Sequence, residues 1–123
     1  VRGLAARWPL GLASSAPQSL IEIVLDAGEL RPYFQVAMST ELVSHGKPAP
    51  DIYLTVTERL AVAATAAAAV EDSSNGLRSA AAAGCQVIAV PRPEYPPAPD
   101  ALASAAVVLT SLTDLTPNVV AAL

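Results

Sequence analysis

Strand-like and helix-like stretches alternate along this chain, and that alternation limits its fold more than any other feature. β-prone runs at 10–14, 35–39, 67–70, 86–90 and 106–109 are separated by helical stretches at 17–28, 50–60 and 75–83, with a last helix near 112–123. Consecutive strands with a helix between them must cross over, so they pair parallel rather than as hairpins. The pattern predicts the α/β class: a three-layer, Rossmann-like parallel sheet with flanking helices. Pro17 stands at a favoured first helical position, Gly28 and Gly84 stand where helices close, and Leu20, Ile21, Val24 and Leu25 form the stripe that the first full helix should bury. The prolines at 91, 93, 96, 97 and 99 predict an extended connection that stiffens a crossover.

The chain has 123 residues, enough for one domain with a sizeable core; 53% are hydrophobic and 15% charged, which excludes intrinsic disorder. A net charge of −4 with six singly scattered arginines leaves no footprint for nucleic acid or an anionic membrane. No apolar run reaches the ~20 residues of a spanning helix, because the alanine-rich stretch before Val70 ends in Glu71-Asp72. One cysteine, Cys85, and no signal or lipidation motif predict a soluble cytoplasmic protein. The chain opens at Val1 without methionine, and residues 1–8 read as the end of a helix, so the expectation is a partial domain spanning 1–123.

In an open parallel sheet, ligands bind beyond the carboxyl ends of the strands. The first strand delivers Ser14-Ser15 to that rim, the loop after the second carries Lys47, and the third delivers Glu71-Asp72 followed by Ser73, Ser74, Asn75 and Gly76. Helices beginning near Pro17 and after Ser73 would aim backbone N–H groups at the same place, which suits phosphate. Mg²⁺ takes oxygen ligands, one or two carboxylates with phosphate oxygens and water, so Glu71 and Asp72 could hold it against a bound phosphate. The constellation points to phosphoryl transfer.

Each part also has a purely structural reading. Ser14 and Ser15 can cap a helix, Glu71-Asp72 can begin one, and a loop lysine is ordinarily solvated. Lys47 is, however, the chain's only lysine, which fits a need for a compact point charge. His45 has no second histidine or cysteine at metal spacing and reads as exposed loop; Cys85 reads as an inert core thiol.

Three stretches, taken in order, resemble a known family. LASSAP at 12–17, HGKPAPDIY at 45–53 and VEDSSNG at 70–76 are similar to the second, third and fourth motifs of the haloacid dehalogenase superfamily, nearest to its phosphatase and β-phosphoglucomutase-like branch. AGELRPYF at 27–34 and AAGCQVIAV at 82–90 extend the likeness over nearly the whole chain. The resemblance implies that Ser14 hydrogen-bonds the transferring phosphoryl group, that Ser15 and Ala16 add backbone N–H groups, that Lys47 neutralises charge between nucleophile and phosphate, and that Asp72, assisted by Glu71, binds Mg²⁺. The substrate it implies is a small phosphorylated metabolite.

The sequence departs from that family in one respect. The nucleophile there is the first aspartate of a D-x-D-x-[TV] motif after a strand, and the second aspartate is the general acid and base. Asp26, Asp51, Asp72, Asp100 and Asp114 belong to no such motif, and no helical cap precedes the serine strand. The chain therefore resembles the C-terminal core of such an enzyme, expected to be inactive alone. The family's nucleophile strand lies between the strands at 10–14 and 67–70, so the sheet should require the missing N-terminal segment or a second copy, or else pair its two flanks directly. A non-catalytic module binding phosphate or a protein is the alternative. A phospho-acceptor receiver domain is disfavoured by order, since it begins with its acids and ends with its lysine.

Overall fold

The computed structural model describes all 123 residues. Its elements run α1 (Arg2–Ala5), β1 (Gly11–Ser14), α2 (Gln18–Ala27), β2 (Val36–Ser39), α3 (Asp51–Arg59), β3 (Ala68–Glu71), α4 (Ser74–Ala83), β4 (Gln86–Ala89), α5 (Pro99–Ala103), β5 (Val107–Val108) and α6 (Pro117–Ala121). Every strand pair is parallel, as the alternation of elements requires. No helix is long and apolar enough to cross a membrane.

The strands form two sheets: β1 pairs with β2, and β3, β4 and β5 pair in that order. β1 and β3 do not pair with each other, so direct pairing of the two flanks is not what this chain does. Each keeps one edge without a strand partner, and Val70 in the middle of β3 is 38% exposed.

The core lies between the sheets and α3 and α4. Met38, Ile52, Tyr53, Val56, Ala69, Leu77, Ala80, Val87, Ala89 and Ala101 form one buried cluster. Ile52, Leu77, Ala80 and Ala89 have no exposed surface, and each buried aliphatic chain of the size of leucine or isoleucine contributes about 2 kcal/mol of transfer free energy. Small residues let the layers approach: a Cβ on Gly11 would stand 2.5 Å from Val56 Cγ1, so glycine is what lets α3 lie against β1.

Several local expectations need correction. Ile21 and Leu25 of α2 are buried, but Leu20 and Val24 are 47% and 52% exposed, because no element of this chain covers that part of the stripe. Pro17, with ψ 146°, caps α2 rather than beginning it. Gly28 stays right-handed and Glu29 takes the left-handed turn at φ 54°, whereas Gly84 closes α4 at φ 91° as expected. The connection after β4 is not extended throughout, since Pro99 opens α5. The last helix shrinks to α6: Pro117 lacks an N–H and holds Thr116 extended, so the Leu112–Asp114 turn cannot run on into it. Cys85 is partly buried against the core rather than within it.

Candidate functional site

Two strand ends and two loops meet in a cleft of about 380 Å³, bordered by Leu12, Ala13, Ser14, Ser15, Ala16, Lys47, Val70, Glu71, Asp72, Ser73 and Asn75. The six residues to which the resemblance gives a role, Ser14, Ser15, Ala16, Lys47, Glu71 and Asp72, line one space together with Ser73 and Asn75, whereas Ser74 and Gly76 do not border it. The cleft opens between the unpaired edges of β1 and β3 and lies at their carboxyl ends.

The wall after β1 is built by polar side chains that tie the turn to β2. Ser14 Oγ accepts from Ala16 N at 3.1 Å, and the fully buried Ser39 donates its hydroxyl to Ala16 O at 2.6 Å. Gln18 spans the same gap, accepting from Ser39 N at 2.9 Å and donating to Ala37 O at 3.2 Å. Replacing Ser39 would leave Ala16 O and this corner without its buried donor, a loss of roughly 1 kcal/mol or more. Neither Ser39 nor Gln18 was singled out in the sequence; their signal is only that each is a polar residue at the end of an apolar element.

Lys47 reaches the cleft from the loop before α3. Its ammonium donates to Ala13 O at 3.1 Å and to Glu71 Oε1 at 2.5 Å, with 10% of the side chain exposed. One hydrogen bond lands on β1 and the other on β3, so Lys47 bridges the two sheets where they share no ladder. Tyr53 of α3 donates its hydroxyl to the same Glu71 oxygen, and its ring lies 5.4 Å from the ammonium. Burial above all, with the Glu71 charge and hydrogen bond added, holds the Tyr53 phenol far above its ordinary pKa, so it is a donor throughout the working range.

The adjacent acids take opposite directions, as successive residues at a strand end do. Glu71 is 8% exposed and turns inward to Lys47 and Tyr53. Asp72 lies 39% exposed at the rim, with Arg92 Nε 2.6 Å from its Oδ2. The resemblance gave Glu71 an assisting role at a metal; in this structure its Oε1 is engaged in holding Lys47. Gly76 explains how a carboxylate fits there at all, because a Cβ on it would stand 1.9 Å from Glu71 Oε2. Ser73 caps α4, accepting from Gly76 N at 3.1 Å, and brings the positive end of that helix to the cleft.

Asp72, Glu71, the serine hydroxyls and the Asn75 amide are hard oxygen donors, the set that suits Mg²⁺. No three carboxylate, imidazole or thiol groups cluster into a cage made by protein alone. That is also ordinary for Mg²⁺, which usually keeps one or two carboxylates and fills its octahedron with phosphate oxygens and water. His45 lies outside the cleft, 75% exposed and 3.1 Å from Asp51. Tyr53, Gly76 and Arg92 are the residues of the site that the sequence reading gave no role.

Comparison with known proteins identifies the family of the chain. Hexitol phosphatase B of Escherichia coli K12 is 39% identical over 107 residues, covering 87% of this chain and 48% of the relative. A haloacid dehalogenase family hydrolase of Deinococcus radiodurans, solved with bound phosphate and sodium, superposes with a TM-score of 0.84 at 27% identity, covering 98% of this chain and 56% of that one. β-Phosphoglucomutase of Clostridium difficile shares the fold, with a TM-score of 0.80 at 21% identity over 98% of this chain and 51% of its own. The chain thus spans about half the length of each of these relatives. Residues 4–90 match the family model for haloacid dehalogenase-like hydrolases, and the chain belongs to that family.

Proposed function

We propose that this chain forms part of a Mg²⁺-dependent phosphoryl-transfer site acting on a small phosphorylated metabolite, as a phosphatase or a sugar-phosphate mutase. The observation that carries the reading is the convergence of Ser14, Lys47 and Asp72 on one cleft with the α4 N-terminus beside it. Phosphoryl transfer asks a protein mainly for in-line positioning and for compensation of charge on the equatorial oxygens. Lys47, already desolvated and fixed by Glu71, supplies a positive charge that needs little reorganisation. Ser14 supplies a hydroxyl and Ser15 its backbone N–H, while the Ala16 N–H is taken by Ser14 Oγ at 3.1 Å and would have to leave it to reach a phosphate. Asp72, with Glu71 behind it, would hold Mg²⁺, which would supply further compensation of phosphate charge.

The nucleophile of this reading is an aspartate on a strand that enters between β1 and β3, forming an aspartyl-phosphate. No aspartate of this chain stands on a strand between β1 and β3, so on this reading turnover requires a strand from a further segment of the same protein, with a second copy as the competing source. Both flanking edges are open to a parallel strand, which supports this reading. Hexitol phosphatase B, by its name, acts on a hexitol phosphate, and a polyol or sugar phosphate is the substrate class carried over here.

Titration of the chain with inorganic phosphate, with and without Mg²⁺, tests the half-site directly. The expected result is phosphate binding that Mg²⁺ strengthens and that Lys47→Ala and Asp72→Asn each weaken about tenfold or more, with circular dichroism showing both variants folded. Phosphate binding that neither variant changes contradicts the assignment.

A further inference from the structure

Arg92 stands beside the proposed metal carboxylate, and the chain takes some trouble to hold it there. The connection after β4 is fastened at both ends: Val90 N donates to Glu71 O at 2.9 Å, and Ala98 N donates to Ser74 Oγ at 2.8 Å. Between those points the chain arches over Asp72 and Ser73. Arg92 and Tyr95 close a tight turn within the arch, with Tyr95 N donating to Arg92 O at 3.2 Å, and Pro93 fixes its second residue. That turn aims the Arg92 side chain at Asp72, with Nε 2.6 Å from Oδ2. Asp72, Ser73, Arg92 and Tyr95 border a second hollow of about 260 Å³ that meets the main cleft at Asp72 and Ser73.

We infer that Arg92 is a positioning residue that competes with the divalent cation for Asp72, so that metal entry and release of the guanidinium are one coupled event. The inference rests on the metal reading of Asp72 given above. The guanidinium contacts one Asp72 oxygen at 2.6 Å and offsets the negative charge that a cation would seek, and a guanidinium left beside a bound dication would be repelled. The like charges of guanidinium and metal therefore disfavour both holding Asp72 at once. The exchange is feasible because Arg92 is 68% exposed and Asp72 39% exposed. Such pairs are weak, so the guanidinium can leave without unfolding the turn that carries it. While the site lacks a cation, the latch neutralises the Asp72 charge and keeps the carboxylate at the rim. Once released, the guanidinium remains tethered at the mouth of the cleft.

Mn²⁺ binding followed by electron paramagnetic resonance, which reads millimolar affinities, separates the possibilities in the wild type, Arg92→Ala and Asp72→Asn. The latch predicts that Arg92→Ala binds Mn²⁺ about fivefold more tightly than the wild type, the size expected for loss of an exposed pair. Asp72→Asn should lose the site. It also predicts that Mg²⁺ moves the Arg92 Nε–H resonance and speeds its exchange with water. The Arg31 Nε–H, paired with Asp26 at 2.8 Å on another part of the surface, should not change. Equal or weaker Mn²⁺ binding by Arg92→Ala, with Asp72→Asn still abolishing it, overturns the latch and leaves the metal reading standing. Binding that survives in Asp72→Asn, or fails in every variant, overturns the metal reading and the latch with it.

Discussion

The Lys47 ammonium lies 2.5 Å from Glu71 Oε1 and 3.1 Å from Ala13 O, which makes one side chain the link between two sheets that share no backbone ladder. Its structural role and its proposed chemical role depend on the same buried charge. Removing one partner of a buried ion pair strands the other, at about 3 kcal/mol or more. Lys47→Met should therefore lower the urea midpoint sharply, and adding Glu71→Leu to it should restore much of the loss. A double variant no more stable than Lys47→Met would show that the stranded carboxylate is not the cause.

Gly76 should tolerate no side chain while Glu71 is present. An alanine Cβ there would lie 1.9 Å from Oε2 and 2.3 Å from Cδ of a carboxylate pinned by Lys47 and Tyr53. Gly76→Ala should cost about 2 kcal/mol, although alanine is the better helix former. In a Glu71→Ala background the same substitution should cost nothing or stabilise, which a double-mutant cycle in urea measures.

The Tyr53 phenol gives a pH signature. Its pKa is raised in the fold, by burial first and then by the Glu71 charge and hydrogen bond. The stability linked to it is therefore complete below the unfolded tyrosine value near ~10 and falls as pH rises beyond that. The difference between wild type and Tyr53→Phe at 295 nm should show no tyrosinate from Tyr53 up to the alkaline unfolding transition. A tyrosinate signal from Tyr53 in the still folded protein would contradict its burial against Glu71.

The split sheet predicts an uneven pattern of amide exchange. β4 has a strand on both sides, whereas β1 and β3 have one each. Exchange mass spectrometry should find 86–89 the slowest segment, with 11–14 and 68–71 faster. Equal protection of all three would mean that the gap between β1 and β3 is closed.

How far the sequence could be read follows from the range of each interaction. Ser14, Lys47 and Asp72 were legible because each follows or precedes an element whose direction the alternation of strands and helices fixes, so strand ends bring them to one rim. Gly84 was legible as a local signal, a left-handed turn that closes a helix, and so was a helix beginning after Ser73. The phenol of Tyr53 on Glu71, the close approach of Gly76 to that carboxylate and the guanidinium of Arg92 on Asp72 are contacts between elements, and no periodicity encodes them. Leu20 and Val24 teach a related lesson: an apolar stripe states what a helix should bury, while its exposure here depends on what else is present to cover it.

The most direct measurement joins this chain to the part of Escherichia coli hexitol phosphatase B that lies outside the matched 107 residues, and assays the fusion on a hexitol phosphate. The expected result is Mg²⁺-dependent release of phosphate that falls at least about a hundredfold in Lys47→Ala and in Asp72→Asn, the loss typical for a charge acting on the transition state. A fusion that folds and is inactive, or one whose turnover survives both substitutions, would contradict the phosphoryl-transfer assignment of Ser14, Lys47 and Asp72.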